Sequence, residues 1–96
     1  MRNKYLVGYD ISDDKRLNKV FTIMQGYGER LQYSVFICDL SPREKATLEA
    51  TLTEHINHTE DCIMMVDLGS GEGALAEKIQ FIGIRKTIPE RRAVIV

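Results

Sequence analysis

The chain begins with a short apolar run that passes directly into a cluster of acids. Residues 5–9 form this run, and Asp10 ends it. A run of this length predicts a buried strand, and Ser12 is expected to cap the helix that follows. Asp13 and Asp14 then fall in the first helical turn, where carboxylates favour the positive end of the helix dipole. Asp10 precedes the cap and has no such role, so we expect it at an accessible strand end.

An apolar stripe at helical spacing follows the acids. Leu17, Val20, Phe21 and Met24 recur at intervals of three and four residues, which predicts a helix from about Ser12 to Gln25 that packs on a sheet. Gly26-Tyr27-Gly28 is expected to stop it. Lys15, Arg16 and Lys19 give its polar side a small basic face.

Residues 29–39 alternate in the manner of a strand. Leu31, Tyr33, Val35 and Ile37 share one face, and Arg30, Gln32, Ser34 and Phe36 share the other. No glycine or proline marks a turn inside the segment. The residues therefore leave open whether it is one bent strand or two short antiparallel strands.

The second half of the chain predicts one helix and further strands. Ser41-Pro42-Arg43-Glu44 has the form of a capping box with proline at the first helical position, and the helix should run to about Asn57. Its exposed side is expected to carry Glu44, Glu49 and Glu54. Strands are expected at 62–68 and 79–84, with Cys38 and Cys62 buried in strands. The apolar end, residues 93–96, should join a sheet edge of its own chain or of a partner.

This order of elements favours an α+β fold in which two helices cover one side of an antiparallel sheet. It predicts a ferredoxin-like βαββαβ sandwich with an additional C-terminal strand, formed by residues 1–96 as a single domain. The opposite side of the sheet needs a cover, and a second copy of the chain is the simplest one. We therefore expect a homodimer in which residues 79–96 form a C-terminal strand and tail that pairs with the partner subunit.

The charge is unevenly distributed along the chain. The net charge is −1, but residues 1–40 hold six Lys/Arg and five Asp/Glu, residues 41–75 two and seven, and residues 76–96 five and two. A polyanion should therefore meet the first and last thirds. No apolar run is long enough to cross a bilayer and no secretory signal is recognisable, so we expect a cytoplasmic protein without a membrane partner.

Two segments resemble the CRISPR-associated protein 2 family of small nucleases. They are Tyr9-Asp10-Ile11-Ser12-Asp13-Asp14-Lys15-Arg16 and Gly28-Glu29-Arg30-Leu31-Gln32-Tyr33-Ser34-Val35-Phe36. The resemblance implies a homodimer that exchanges its C-terminal strands and holds a divalent metal, Mg²⁺, with Asp10 at the dimer axis. It also implies that residues 29–39 divide near Gln32. Magnesium generally takes one or two protein carboxylates, and two Asp10 side chains related by a dyad would supply them.

The resemblance also marks residues that would shape the site or touch nucleic acid. They are Tyr9, Arg16, Arg30, Ser34 and Phe36, to which the basic helix adds Lys19 and the basic last third adds Arg85, Lys86, Arg91 and Arg92. One departure is that helix positions occupied by arginine in some relatives are Leu17 and Lys19 here. Lysine does not reproduce the bidentate phosphate contact of arginine.

Two functions follow from the resemblance. The first is a CRISPR-associated, magnesium-dependent endonuclease with Asp10 as catalytic metal ligand, which cleaves single-stranded RNA, with double-stranded DNA as a second candidate substrate, and acts in spacer acquisition. No nearby residue is an obvious general base. The alternative is a non-catalytic dimeric adaptor that holds double-stranded DNA for the CRISPR-associated integrase. A metabolite-binding regulatory module and a free-standing ribonuclease toxin are minor alternatives.

Overall fold

A computed structural model describes residues 1–70 and 78–83. In this part of the chain the elements are β1 (Asn3–Asp10), α1 (Asp14–Gln25), β2 (Gly28–Gln32), β3 (Val35–Leu40), α2 (Pro42–His55) and β4 (Cys62–Gly69). The strands form an antiparallel sheet in the order β2-β3-β1-β4. This confirms the predicted α+β fold. The expected C-terminal strand at 93–96, together with Arg85, Lys86, Arg91 and Arg92, lies outside the described residues.

The segment whose strand count was left open forms two strands. β2 and β3 pair as a hairpin whose turn is Tyr33-Ser34. Neither turn residue has a positive φ, and the strand register shifts between Arg30 and Gln32. An irregularity of this kind places an extra residue in one strand and increases the local twist. The hairpin therefore closes without the glycine that would have marked its turn in the sequence.

The two sides of the sheet differ in how well they are covered. On the side facing the helices, alternate residues of the strands pack with both helices and form the main core. The buried residues of this core include Tyr5, Val7, Tyr9, Phe36, Cys38, Leu48 and Leu52. On the opposite side, which we call the open face, Leu31 and Ile37 are covered by Ile79 and Phe81. Met64 and Val66 of β4 keep 57% and 37% of their surface exposed. The open face is thus an apolar surface with a partial cover.

The cap of α1 differs from the prediction by one residue. Asp13, not Ser12, is the N-cap, and its carboxylate accepts the backbone N–H of Arg16 at 3.0 Å. Ser12 instead donates its backbone N–H and its hydroxyl to Asp61, at 3.1 and 3.2 Å. The capping box predicted for α2 is confirmed, because Ser41 and Glu44 bond each other's backbone N–H groups. Asp14 lies in the first turn of α1 as expected.

Glycine at position 28 is required by packing inside the sheet. Gly28 is buried at the start of β2 opposite Cys38. A Cβ atom there would overlap the carbonyl oxygen of Ile37 and lie 2.6 Å from the Cys38 sulfur. Gly26 is the C-cap of α1, with an ordinary φ of −80°. Gly26 therefore ends α1, whereas Gly28 is required for the close packing of β2 against β3.

Two further expectations from the sequence, a strand at 79–84 and a buried Cys62, are wrong for the described residues. Residues 79–83 form no strand; Ile79 and Phe81 cover the open face instead, and Gly83 has a φ of 97°, outside the extended region. Cys62 is exposed, because the side chain next to it on the same face of β4 is the uncovered Met64. Cys38 is buried as predicted.

Glu44 does not lie on the exposed side of α2. It accepts a hydrogen bond from the Arg2 guanidinium at 2.5 Å and is half-buried. As the N3 residue of the capping box it lies within reach of Arg2, the residue before β1. Separately, no helix within residues 1–70 and 78–83 has the length and apolar character needed to span a membrane.

Candidate metal and nucleic-acid site

Asp10 lies where β1 leaves the sheet, and its side chain is exposed. Strand alternation turns it to the open face, while Tyr9 turns to the helices. Backbone pairing with Cys62 and the hydrogen bond from the Tyr9 N–H to the Ser34 carbonyl, at 3.1 Å, fix this strand end. Among the described residues, no hydrogen bond or ion pair engages the Asp10 carboxylate. Its oxygens are therefore accessible to a ligand.

A cavity of about 330 Å³ lies beside Asp10 on the open face. Its lining is almost entirely apolar and includes Gly8, Val35 and Met64, together with Ser34 and Cys62. Gly8 leaves the space beside Met64 open, since a Cβ there would touch only Met64, Ser34 and Val35 at 3.9 Å. The Asp10 carboxylate thus lies at the edge of the apolar cavity on the open face.

The donor set of one chain fits magnesium only in part. Within the described residues, no cluster of three or more His, Cys, Asp or Glu side chains is placed to hold a metal ion. A single accessible carboxylate is nevertheless a hard oxygen donor of the kind that magnesium uses, with water and phosphate completing its six ligands. One chain therefore supplies one metal ligand, and a second carboxylate would have to come from another copy.

The aromatic residues beside this strand end lie on the helix side of the sheet. Tyr9 is 7% exposed and stacks on Phe36 with ring centroids 6.3 Å apart. Phe36, at 1% exposure, is a core residue that also meets the edge of the Phe21 ring. It is thus placed to support Tyr9, and the structure does not bring it to the surface where it was expected to touch nucleic acid. Burial raises the pKa of the Tyr9 hydroxyl.

Arg16, which was expected to hold phosphate, is engaged by carboxylates. Its Nε lies 2.8 Å from Asp61 Oδ2, and its Nη2 lies 3.2 Å from Asp61 Oδ1 and 3.1 Å from Glu60. The contact joins the start of α1 to the loop between α2 and β4. A phosphate at this guanidinium would have to compete with two carboxylates.

Asp61 supports the candidate site and was not predicted from the sequence. Its side chain exposes none of its surface. Besides Arg16 it accepts the backbone N–H of Asn57 at 2.8 Å and two hydrogen bonds from Ser12. The hydrogen bonds from Arg16, and further ones from the Asn57 and Ser12 N–H groups, hold the pKa of this carboxyl well below its usual range. Asp61 thereby anchors the segment that follows Asp10, although nothing in its local sequence marks it.

The remaining predicted contacts fall into two groups. Ser34 is half-buried and lines the cavity beside Asp10. Lys19 and Arg30 are exposed, and no carboxylate within the described residues pairs with them. Arg30 lines a second cavity with Tyr9 and Tyr33. The sequence pattern placed Tyr33 only on a strand face. The structure places it in the turn between β2 and β3, where 75% of its surface is exposed.

Comparison with known proteins gives one consistent result. Residues 3–73 match the family model for CRISPR associated protein Cas2. A protein from Geobacter sulfurreducens named CRISPR-associated endoribonuclease Cas2 is 38% identical over 96 residues, which cover 100% of both chains. A Rhodospirillum rubrum protein named CRISPR-associated endoribonuclease Cas2 1 is 38% identical over 93 residues, covering 96% of this chain and 89% of that protein.

Solved structures agree with this result. The crystal structure of Streptococcus pyogenes Cas2 aligns with a TM-score of 0.73 and 30% identity, covering 83% of this chain and 99% of that one. A hypothetical protein from Thermus thermophilus aligns with a TM-score of 0.78 and 29% identity, covering 94% and 100%. The arrangement of strands and helices described above is therefore one that experiment has already found in related chains.

Proposed function

The chain belongs to the CRISPR-associated protein Cas2 family, and from this premise we propose that it is a cytoplasmic, magnesium-dependent endoribonuclease that acts in CRISPR spacer acquisition. The observation that carries the proposal is the accessible carboxylate of Asp10. It lies at a strand end fixed by backbone hydrogen bonds on both sides. The endoribonuclease names of full-length relatives support the same reaction, which is hydrolysis of a phosphodiester bond.

Asp10 would hold the metal, and the surrounding residues would hold Asp10. A bound divalent ion would polarise the phosphodiester and lower the pKa of a water that attacks it. The chain's own contribution is positional: the hydrogen bond from Tyr9 to Ser34 and the anchoring of Ser12 by Asp61 restrict the backbone on either side of the carboxylate. Exposed Lys19 and Arg30 would attract the phosphate backbone, as would Arg85, Lys86, Arg91 and Arg92 in the last third.

A homodimer completes the site in this proposal. One chain supplies one carboxylate, and that carboxylate stands beside the uncovered part of the open face, where Met64 and Val66 are exposed. A second copy seated there would cover this surface and bring a second Asp10 near the first. Its C-terminal residues would extend the sheet, since β4 is an edge strand of the sheet that the described residues form.

The DNA-binding adaptor of the CRISPR integrase is the second candidate. It is favoured by the state of Arg16, whose pairing with Asp61 and Glu60 leaves fewer cations around the carboxylate. It is also favoured by the lack, within the described residues, of a cluster of groups able to hold a metal in one chain. In this reading double-stranded DNA, not RNA, is the partner, and Asp10 is dispensable.

The deciding experiment replaces Asp10 by asparagine, which keeps the shape of the side chain and removes its charge. We expect cleavage of single-stranded RNA in magnesium to fall at least about 100-fold, which corresponds to about 3 kcal/mol of metal-derived stabilisation of the transition state. The exposed first-turn variant Asp14→Asn is the control and should keep its activity. Thermal unfolding should be nearly unchanged in both variants.

Two results would count against the nuclease. Undiminished cleavage by highly purified Asp10→Asn protein, or by wild type in a chelator, would show that the activity does not use this carboxylate. Normal spacer acquisition by the Asp10→Asn variant in cells, with salt-sensitive binding to duplex DNA, would favour the adaptor.

A further inference from the structure

A small cavity on the helix side of the sheet has the chemistry of a nucleobase site. It measures about 180 Å³ and is lined by Tyr9, Leu17, Asn18, Phe21, Arg30 and Tyr33, which we call the Tyr33 pocket. It lies at the same end of the sheet as Asp10, because Tyr9 precedes Asp10 in β1 and Tyr33 is in the turn whose next residue, Ser34, bonds Tyr9. It is a different cavity from the apolar one on the open face, although Tyr9 lines both.

Flat groups surround the Tyr33 pocket. Tyr33 exposes 75% of its surface, which is more than usual because tyrosine is of intermediate burial on average. The Arg30 guanidinium lies 5.3 Å from the centre of the Phe21 ring. Phe21 in turn rests on Phe36, and Phe36 on Tyr9. An exposed ring, a guanidinium plane and a rigid aromatic base are the groups on which unpaired bases stack.

Polar groups are also available at the Tyr33 pocket. Among the described residues, neither the Tyr9 hydroxyl nor the Asn18 side chain has a hydrogen-bond partner, and the Arg30 guanidinium has no carboxylate. The Asn18 amide offers two donors and an acceptor, which matches the mixed edge of a base. Arg30 adds a positive charge that suits the attached phosphate. Its charge already acts on the Tyr9 hydroxyl, whose pKa it lowers against the larger effect of burial.

We propose that the Tyr33 pocket takes one unpaired nucleobase of the substrate, so that the protein selects single-stranded RNA through Tyr33, Arg30 and Asn18. The inference rests on the proposed function in that it concerns the same nucleic acid. A base inside a duplex is stacked on both faces and has its edge paired, so it cannot enter. The base in the pocket holds the strand next to the Asp10 end of the sheet.

The test measures equilibrium binding in a chelator, where no cleavage occurs. A fluorescent single-stranded RNA decamer and the same decamer in a duplex are titrated against wild type, Tyr33→Ala, Tyr33→Phe and Lys19→Gln. We expect Tyr33→Ala to weaken single-strand binding roughly 5- to 150-fold, since one stacked base contributes about 1–3 kcal/mol. Duplex binding should not change, and Tyr33→Phe should retain single-strand binding. Lys19→Gln is the matched control and should weaken both forms alike.

Competition identifies the group that the pocket binds. Adenosine 5′-monophosphate should displace the single strand from wild type more effectively than ribose 5-phosphate, and this difference should vanish in Tyr33→Ala. Equal binding of the decamer by wild type and Tyr33→Ala would overturn the proposal, as would an equal loss for both nucleic-acid forms. A change in oligomeric mass with unchanged RNA affinity would assign Tyr33 to a protein interface and also overturn it. Because no cleavage is measured, failure of the Asp10 experiment leaves this result intact.

Discussion

At the scale of single residues, the geometry of the candidate site depends on a carboxylate whose side chain exposes none of its surface. Asp61 accepts hydrogen bonds from Ser12, Arg16 and Asn57, and so connects the start of α1 with the loop before β4. Charge-assisted hydrogen bonds of this kind are stronger than those between neutral groups. Leaving their donors without an acceptor is costly in a buried position. The position of Asp10 therefore depends on a residue 51 positions away in the sequence.

We predict that Asp61→Asn destabilises the protein in a pH-dependent way. The pKa of Asp61 is lower in the folded protein than its ordinary value of 3.8. The unfolded chain thus binds the proton more readily, so the stabilising contribution is fully present above the ordinary value and decreases as the pH falls below it towards the lower pKa of the folded protein. At pH 7 the variant should melt at least about 5 °C below wild type. The difference in melting temperature between wild type and Asp61→Asn should decrease towards pH 3. Thermal unfolding at several pH values measures it.

The exposed carboxylate Glu54 provides the control for this experiment. Glu54→Gln should leave the melting temperature nearly unchanged at each pH, because surface substitutions have small effects. A gap between wild type and Asp61→Asn that stays constant from pH 7 to pH 3 would contradict the assignment of the shifted pKa to Asp61.

Asp10 and Asp61 also show what a sequence can reveal about a site. Asp10 was predictable because its signal is local: it follows an apolar run and precedes a helix cap. Asp61 has partners in distant parts of the chain, and their approach exists only in the fold. The family resemblance implied that Arg16 contacts nucleic acid, but the fold places two carboxylates on it. Local sequence identifies groups that end elements and does not identify their long-range partners.

At the scale of elements, the β2–β3 hairpin is the part whose form the sequence left open. α1 and α2 were predictable because their apolar stripes and the capping box of α2 are strong periodic signals. The hairpin turns through Tyr33 and Ser34 with a register shift, a solution that carries no glycine or proline marker. Glycine is needed instead at the entry to β2, where the backbone of Gly28 packs directly against β3.

We predict that Gly28→Ala destabilises the domain by about 1–3 kcal/mol, the usual cost of forcing an extra methyl group into a packed region. The added Cβ would overlap Ile37 and press on the Cys38 sulfur. The matched control is Gly26→Ala, where the nearest atom would lie at an ordinary 3.4 Å. Denaturant unfolding of both variants measures the difference. Equal stability of the two variants would show that β2 relaxes without cost.

At the scale of the whole molecule, the uncovered part of the open face determines the proposed assembly. The sequence predicted that one side of the sheet would lack a cover. It did not show that Ile79 and Phe81 would occupy part of that side. Cys62 and Met64, two exposed residues of β4, line the Asp10 cavity, so assembly and metal binding would share one surface.

We predict that Met64→Glu gives a monomer that retains its fold and loses metal-dependent cleavage. A carboxylate at this exposed apolar position would have to be desolvated in a dimer, which is costly without a partner cation. Sedimentation velocity should show a single species of monomer mass, while circular dichroism stays native. Ala50→Glu, on the exposed side of α2, is the control and should leave the mass unchanged. A dimer of Met64→Glu would place the subunit interface elsewhere.

The alternation of β1 has a mechanical consequence for the substrate. Tyr9 and Asp10 are adjacent in the chain, yet one side chain points above the sheet and the other below it. A polymer that touches both must curl around the strand tip within a few nucleotides. Double helices have a persistence length of about 150 base pairs and resist such curvature, whereas an unpaired strand yields to it easily. The flexibility of the nucleic acid would then favour single strands over double helices before any bond is cleaved.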